Sequence, residues 1–384
     1  VGLLERVNRL DEADALLAAL PDPQTLHDPM DQLEVISAMG VMAMRGRDPA
    51  TARSLLQRLI AMTTETNQLG NLYFSMAKAC DKQGDTGAAM DALAKAHTAQ
   101  MVKAAQLVPE LLLPGVQPLS PALIRMTPAQ AADWKPPVRS AEEPPSPIFV
   151  VGFPRSGTTL LEQILASHRD VVSMEERDCL IDAERAFLAP DGLDRLANMR
   201  HTDLTAAREA YWQRVEEAGV TPSTPVFVDK MPLNTVLLCL IAKLFPQAKI
   251  LFALRDPRDV VLSCFRRRFV MTAQMYELVT LESAAKYYDA VMRLADRYRE
   301  KFDLDVHALR YEAMVADMET EMRAVCAFMG IAWDESMRDF ASRARQRGID
   351  TPSAAQVSRG LYTQGAGQWQ RYAMQLAPVM PLLS

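Results

Sequence analysis

From Ile148 onward, apolar β-branched runs alternate with helical patterns. A glycine-bearing turn, Gly152 to Thr159, follows the first such run. Before it, residues 1 to about 106 are rich in alanine, leucine and methionine at helical spacing. These three observations predict an α/β domain with a parallel sheet and a P-loop turn, preceded by an all-α domain. The expected boundaries are 1–106 for the helices, 107–147 for a proline-rich linker and 148–384 for the α/β domain.

The composition supports folded domains and excludes several classes. The chain has 384 residues, enough for two cores, and 49% hydrophobic with 23% charged residues is the balance of a globular protein. A net charge of −6 leaves no basic footprint for nucleic acid, so any cationic site is local. No apolar run reaches the length of a membrane span; the best, Val236–Leu244, is interrupted by Lys243. Five scattered cysteines (Cys80, Cys179, Cys239, Cys264 and Cys326) without a CxxC pair argue against a disulfide framework and against a zinc site. With no secretory pattern after Val1 and cysteines that suit a reducing compartment, the expectation is a cytoplasmic protein.

The helical region repeats. Asp11, Asp48 and Asp85 are 37 residues apart, as are Ala15, Ala52 and Ala89. Each aspartate sits at a turn where it can cap the following helix, and each alanine lets paired helices approach closely. The pattern resembles a tetratricopeptide (TPR) array with a lengthened period. That resemblance implies a docking surface for a protein or peptide partner, or for part of a substrate. An ordinary helical bundle is the alternative.

Between Pro109 and Pro147 lie ten of the 24 prolines, a density that forbids long helices and suits a semi-rigid strap, with Trp134 as an anchor. Beyond it the expected strands are Ile148–Val151, Val226–Val228, Lys249–Leu254 and Leu304–Leu309. The expected helices are Thr158–Ser167, Leu233–Phe245, Arg258–Val270, Leu281–Phe302 and Glu312–Met329. Such alternation places ligands outside the carboxyl ends of the strands.

Two clusters occupy that position. The first is Gly152-Phe153-Pro154-Arg155-Ser156-Gly157-Thr158-Thr159, with Gly-x4-Gly spacing. Backbone amides at a helix start, the Arg155 guanidinium and the hydroxyls of Ser156, Thr158 and Thr159 can grip an anion without a metal. Thr158 stands where a nucleoside-triphosphate-binding loop has lysine, which argues for a phosphate ligand other than a triphosphate.

The second cluster is Arg255-Asp256-Pro257-Arg258-Asp259, with Ser263 eight residues past Arg255. Pro257 suits a first helical turn, and Arg255 with Ser263 suits a monoester phosphate. Salt bridges among Arg255, Asp256, Arg258 and Asp259 are an equally simple reading, and Arg266-Arg267-Arg268 reads as a solvated helix face, one member of which could reach back to a phosphate.

Pro154 to Thr159 resembles the 5′-phosphosulfate loop of the sulfotransferase superfamily, and Arg255 with Ser263 resembles its 3′-phosphate motif. Ser167-His168-Arg169-Asp170-Val171 and Glu175-Glu176 are similar to the branch that contains tyrosylprotein sulfotransferases and bacterial TPR-sulfotransferase fusions. The resemblance covers residues 148 to the end. It implies 3′-phosphoadenosine 5′-phosphosulfate as donor, an acceptor hydroxyl or amine, and no obligatory metal. By position, Arg155, Ser156, Gly157, Thr158 and Thr159 would hold the 5′-phosphosulfate, with Arg255 and Ser263 at the 3′-phosphate and Tyr311 near the nucleotide. Glu176 matches the catalytic base, with Glu175 beside it, and Lys230 matches a lysine that steadies the transferring group; Arg155 joins them as a cation for the developing charge. His168 is the second candidate base.

Two departures stand out. Asp178 occupies the place of an arginine in the tyrosylprotein branch, which puts peptide-tyrosine recognition in question. In Gly365-Ala366-Gly367-Gln368-Trp369, Gln368 replaces a basic residue. Two rival readings remain. One is a P-loop kinase or NTPase with Asp229 as its metal-binding carboxylate; the other is a TPR binding module joined to an inactive nucleotide-binding domain.

Overall fold

The computed structural model of the chain describes residues 1–6, 9–46, 48–113, 115–116, 119, 146–189, 191–221, 226–347, 361 and 365–383. Most of the proline-rich linker, including Trp134, lies outside the described residues, as does the stretch from Thr351 to Tyr362 apart from Leu361.

Contacts divide the chain into two compact units. The first comprises Val1–Val116 together with Phe265–Ala284 and Trp369–Val379; the second comprises Gln117–Cys264, Ala285–Gln368 and Met380–Ser384. Two segments that the sequence assigns to the α/β domain therefore belong to the helical unit.

In the first unit the period of 37 is structural. The helix pair Pro29–Arg45 and Pro49–Met62 is followed, 37 residues on, by Thr66–Lys82 and Thr86–Leu107. The caps repeat as well. Asp28 and Glu65 accept from the first-turn amides of the leading helices, and Asp48 and Asp85 from those of the second. The buried positions Ala52, Leu55, Leu56 and Leu59 match Ala89, Ala92, Leu93 and Ala96. The third copy fails. Asp11 lies inside the Leu10–Ala18 helix rather than capping it, and Ala15 is exposed while Ala13 is buried.

The second unit is built on a five-stranded sheet, all neighbours parallel: β1 (Ile148–Gly152), β2 (Val171–Glu175), β3 (Val226–Lys230), β4 (Lys249–Leu254) and β5 (Asp305–Arg310), in the order β2-β3-β1-β4-β5. β1 is buried along its whole length, as its unbroken apolar run predicts for a central parallel strand. From β1 the chain builds β2 and β3 on one side, then crosses to β4 on the other. The strand order therefore reverses between β1 and β4, the point at which open parallel sheets bind ligands.

The sheet's two faces carry different chemistry. Val150, paired in register with Lys230, faces a core that includes Leu161, Ile164 and Leu165 of the Thr158–Leu165 helix. Phe149, paired with Asp229, faces the other way, into an aromatic group with Tyr211 and Phe245 at centroid separations of 6.1 and 5.8 Å. Successive residues of a strand point to opposite faces, so Lys230 and Asp229 are separated by the sheet.

Four element expectations need correction. The helix expected over Leu233–Phe245 is a 3₁₀ helix over Pro232–Leu237 followed by an α-helix over Leu238–Leu244. β2 is absent from the expected strands, because Ser173 and Glu175 interrupt its apolar run and as an edge strand it needs no unbroken one. The helix expected to reach Val270 ends at Phe265. The helix expected over Glu312–Met329 breaks at Asp317, whose carboxylate turns to cap the second piece by accepting from Thr320 N–H.

Candidate active site

The turn after β1 is shaped by two positive-φ residues, Arg155 (73°) and Gly157 (99°). Gly157 also needs its missing side chain: a Cβ there would come within 2.8 Å of the Tyr311 ring. At the strand end Gly152 N–H donates to Thr235 Oγ1 at 2.9 Å, and a Cβ on Gly152 would meet the Ala253 carbonyl oxygen of β4 at 2.5 Å. The two strands therefore approach closely where their loops part. Ser156, Thr158 and Thr159 are buried in the turn and the helix start.

The second cluster folds onto the first. Arg155 Nε donates to Ser263 Oγ at 3.1 Å, and Arg255 Nη1 donates to the Arg155 carbonyl at 2.9 Å. Arg255 Nη2 donates to the Gly365 carbonyl at 2.5 Å, and the guanidinium lies 4.8 Å from the Tyr311 ring centroid. Its Nε is buried and has no hydrogen-bond partner. The salt-bridge reading holds for Arg258, which bonds Asp256 through Nε at 2.8 Å, whereas Asp259 accepts from Gly367 N–H at 2.6 Å.

A third cluster lies at the end of β3. Lys230 is fully buried, and its Nζ donates to Glu176 Oε1 at 2.6 Å, with Glu162 and Glu175 each 3.8 Å away. Glu176 N–H also donates to the Lys230 carbonyl at 2.9 Å, so the glutamate is held twice. Its φ is 42°; among the described residues, Arg155 and Glu176 are the two non-glycine residues with positive φ. Backbone strain of this kind persists where the surroundings enforce it and collects at functional sites. The Glu176 side chain is 38% exposed and so open to a substrate, unlike Lys230.

His168 is committed elsewhere. Its Nε2 donates to the Ala332 carbonyl at 2.9 Å and its Nδ1 accepts from Asp170 N–H at 3.0 Å, which makes it a loop clamp. Asp229 accepts from Tyr211 Oη at 2.9 Å on the far face of the sheet, and burial pushes its carboxyl up to about 7. Burial also raises Asp178, against the pull of Arg214 and Arg185.

Sequence reasoning missed Glu162, Ser173 and Thr235. Glu162 is buried on the Thr158–Leu165 helix and accepts from Ser173 Oγ at 2.9 Å. A carboxylate amid Leu160, Leu161, Ile164 and Leu165 was the available signal, since a buried charge demands a partner. All five cysteines are free and buried, and no cluster of metal-ligating side chains occurs among the described residues.

With this geometry in place, the comparison with known proteins is direct. Residues 147–335, which hold all three clusters, match the model of the "Sulfotransferase family". Residues 147–335 form a sulfotransferase-family domain. It is 28% identical over 250 residues to an uncharacterized protein of Aquifex aeolicus, covering 62% of this chain and 32% of that one. It is 26% identical over 211 residues to protein-tyrosine sulfotransferase A of Caenorhabditis elegans, covering 50% of this chain and 51% of that one. The chain thus spans about a third to a half of the length of these curated relatives. Among solved structures it resembles the sulfotransferase domain of the Synechococcus PCC 7002 olefin synthase, with a TM-score of 0.44 and 23% identity, covering 64% of this chain and 98% of that one. No helix among the described residues is long and apolar enough to cross a membrane.

Proposed function

We propose that this protein transfers a sulfuryl group from 3′-phosphoadenosine 5′-phosphosulfate to an acceptor hydroxyl or amine. The observation that carries the reading is the orphaned Nε of Arg255. Two N–H groups of that guanidinium fasten the loops at Arg155 and Gly365, its central carbon lies 4.8 Å from the Tyr311 ring centroid, and one buried donor remains without a partner. A buried guanidinium N–H without an acceptor is costly, and an anionic oxygen supplies the missing bond.

The residues present fit such a donor. Arg155 to Thr159 would hold its 5′-phosphosulfate on main-chain amides and hydroxyls, and Arg255 with Ser263 its 3′-phosphate. When bound, the donor supplies an activated sulfuryl group, whose bond to the phosphate oxygen breaks as the acceptor bonds to sulfur. Glu176 takes the acceptor's proton, a task worth about 10²–10⁴-fold in rate. Lys230 fixes the Glu176 rotamer through its 2.6 Å bond and, with Arg155, offers positive charge to the departing oxygen.

The kinase or NTPase reading loses its main support, because Asp229 is bonded to Tyr211 on the face of the sheet away from Lys230. The curated relatives named protein-tyrosine sulfotransferases make a peptide tyrosine one acceptor to include, although Asp178 changes the charge beside the base.

The test is release of adenosine 3′,5′-bisphosphate from the donor in the presence of phenols, sugars, amines and tyrosine peptides. Turnover by the wild type and its loss in Glu176→Gln are expected. Magnesium-dependent ATP turnover without turnover of the donor would overturn the proposal, and donor binding without transfer to any acceptor would favour an inactive binding domain.

A further inference from the structure

The helical unit encloses two segments from later in the chain, residues 265–284 and 369–379. Each begins just past a residue of the donor site: Phe265 follows Ser263, and Trp369 follows Gly365, whose carbonyl receives Arg255. The contacts that hold these segments are specific and polar.

Asn67 and Asp81 lie fourteen residues apart on one face of the Thr66–Lys82 helix. Asn67 Oδ1 accepts from Arg268 at 3.2 Å. The Asp81 carboxylate pairs with Arg266, contacts Arg371 at 3.1 Å and accepts from Tyr372 Oη at 2.6 Å, while its main-chain oxygen accepts from Arg371 at 2.7 Å. The Arg266 guanidinium lies 5.4 Å from the Tyr372 ring centroid. From the next helix, His97 Nε2 donates to the Phe265 carbonyl at 2.7 Å, its ring stacked on Phe265 at 4.6 Å, and Gln100 donates to the Phe269 carbonyl at 3.2 Å. Thr86 Oγ1 accepts from Gln375 at 3.2 Å. One carboxylate, 14% exposed, thus ties both returning segments to the second helix pair.

We propose that the helical unit works in cis as a frame for the donor site, with Asp81 as its positioning residue. By tying Arg266 to Arg371 and Tyr372, Asp81 fixes the two segments from which Ser263 and Gly365 extend, and so sets the geometry in which Arg255 and Ser263 receive an anion. This face of the repeats is taken by the chain itself, so it serves the donor site rather than a docked partner. The inference rests on the proposed donor, and its test separates the two.

Asp81→Asn keeps the side-chain shape and an acceptor for Tyr372 but removes the charge. Asp91→Asn, at an exposed position of the same unit, is the control. Affinity for adenosine 3′,5′-bisphosphate is measured by calorimetry, and amide hydrogen exchange at residues 255–269 and 365–372 is measured without nucleotide. For Asp81→Asn, roughly tenfold weaker binding is expected, with faster exchange in both segments and wild-type values for the control. Wild-type exchange in both segments would overturn the proposal, whatever the affinity, and so would wild-type affinity. A wild type that binds no nucleotide overturns the donor reading alone, and the exchange comparison still decides the frame. If Asp81→Asn does not fold, Tyr372→Phe, which deletes one hydroxyl, takes its place with the same expected and overturning outcomes.

Discussion

Arg255 Nη1 donates to the main-chain oxygen of Arg155 at 2.9 Å, so two clusters 100 residues apart in sequence are joined directly. The Arg155 side chain completes the tie by bonding Ser263. Arg155 thus meets the second cluster twice, through its carbonyl oxygen at Arg255 and through its guanidinium at Ser263.

Arg255 is therefore more than a cation. Arg255→Lys keeps the charge but cannot reach the Arg155 and Gly365 carbonyls while presenting a third N–H. Affinity for adenosine 3′,5′-bisphosphate should fall by at least about tenfold, the equivalent of one charge-assisted hydrogen bond of ~1.5–3 kcal/mol. Titration calorimetry checks it; unchanged affinity would show that the orphaned Nε has no anionic ligand.

Glu176→Gln should leave nucleotide binding unchanged and lower turnover by roughly 10²–10⁴-fold. Glu175→Gln should lower it far less, since Glu175 is 3.8 Å from Lys230 and Glu176 is the residue in direct bond with it. Single-turnover rates with a responsive acceptor distinguish the two variants. His168→Gln should act on stability rather than turnover, because both ring nitrogens hold main-chain groups.

Lys230→Met removes a buried cation that faces three carboxylates, among them Glu162 with a side chain 2% exposed. Leaving such a charge uncompensated costs about 3–5 kcal/mol. The variant should melt well below the wild type, and Lys230→Met with Glu162→Gln should recover part of the loss in thermal denaturation. Equal melting temperatures for both variants would refute the pairing.

Asp229 makes stability depend on pH in a stated direction. Its folded-state carboxyl titrates at about 7, above the unfolded value of about 3.9, because burial disfavours its charge. Its contribution is fully present below about pH 3.9 and is lost as pH rises through about 7. Asp229→Asn should abolish this component, so that the stability of the variant relative to wild type rises between pH 5 and pH 8. Urea denaturation across that range tests it, and a parallel pair of curves would contradict it.

Much of this was readable in the sequence where a local rule is strict. The unbroken run Ile148–Val151, the Gly152–Thr159 turn and Pro257 at a helix start left few alternatives for β1, its loop and the helix after β4. The 37-residue period was readable from Asp48, Asp85, Ala52 and Ala89, because caps and close helix contacts restrict residue type. β2 was hidden because an edge strand tolerates Ser173 and Glu175. The capture of residues 265–284 and 369–379 by the helical unit was hidden too. It depends on pairings such as Asp81 with Arg266, separated by 185 positions, which no local pattern announces. Glu162 was visible as a charge in an apolar helix, but its partner Lys230 is defined by sheet register alone.

A crystal structure of the protein with adenosine 3′,5′-bisphosphate tests the central claim most directly. The account predicts the 5′-phosphate on the turn from Arg155 to Thr159 and the 3′-phosphate against Arg255 Nε and Ser263, with the Lys230–Glu176 pair beside the 5′ end. A nucleotide bound away from Arg255, with Nε still unpartnered, would contradict it.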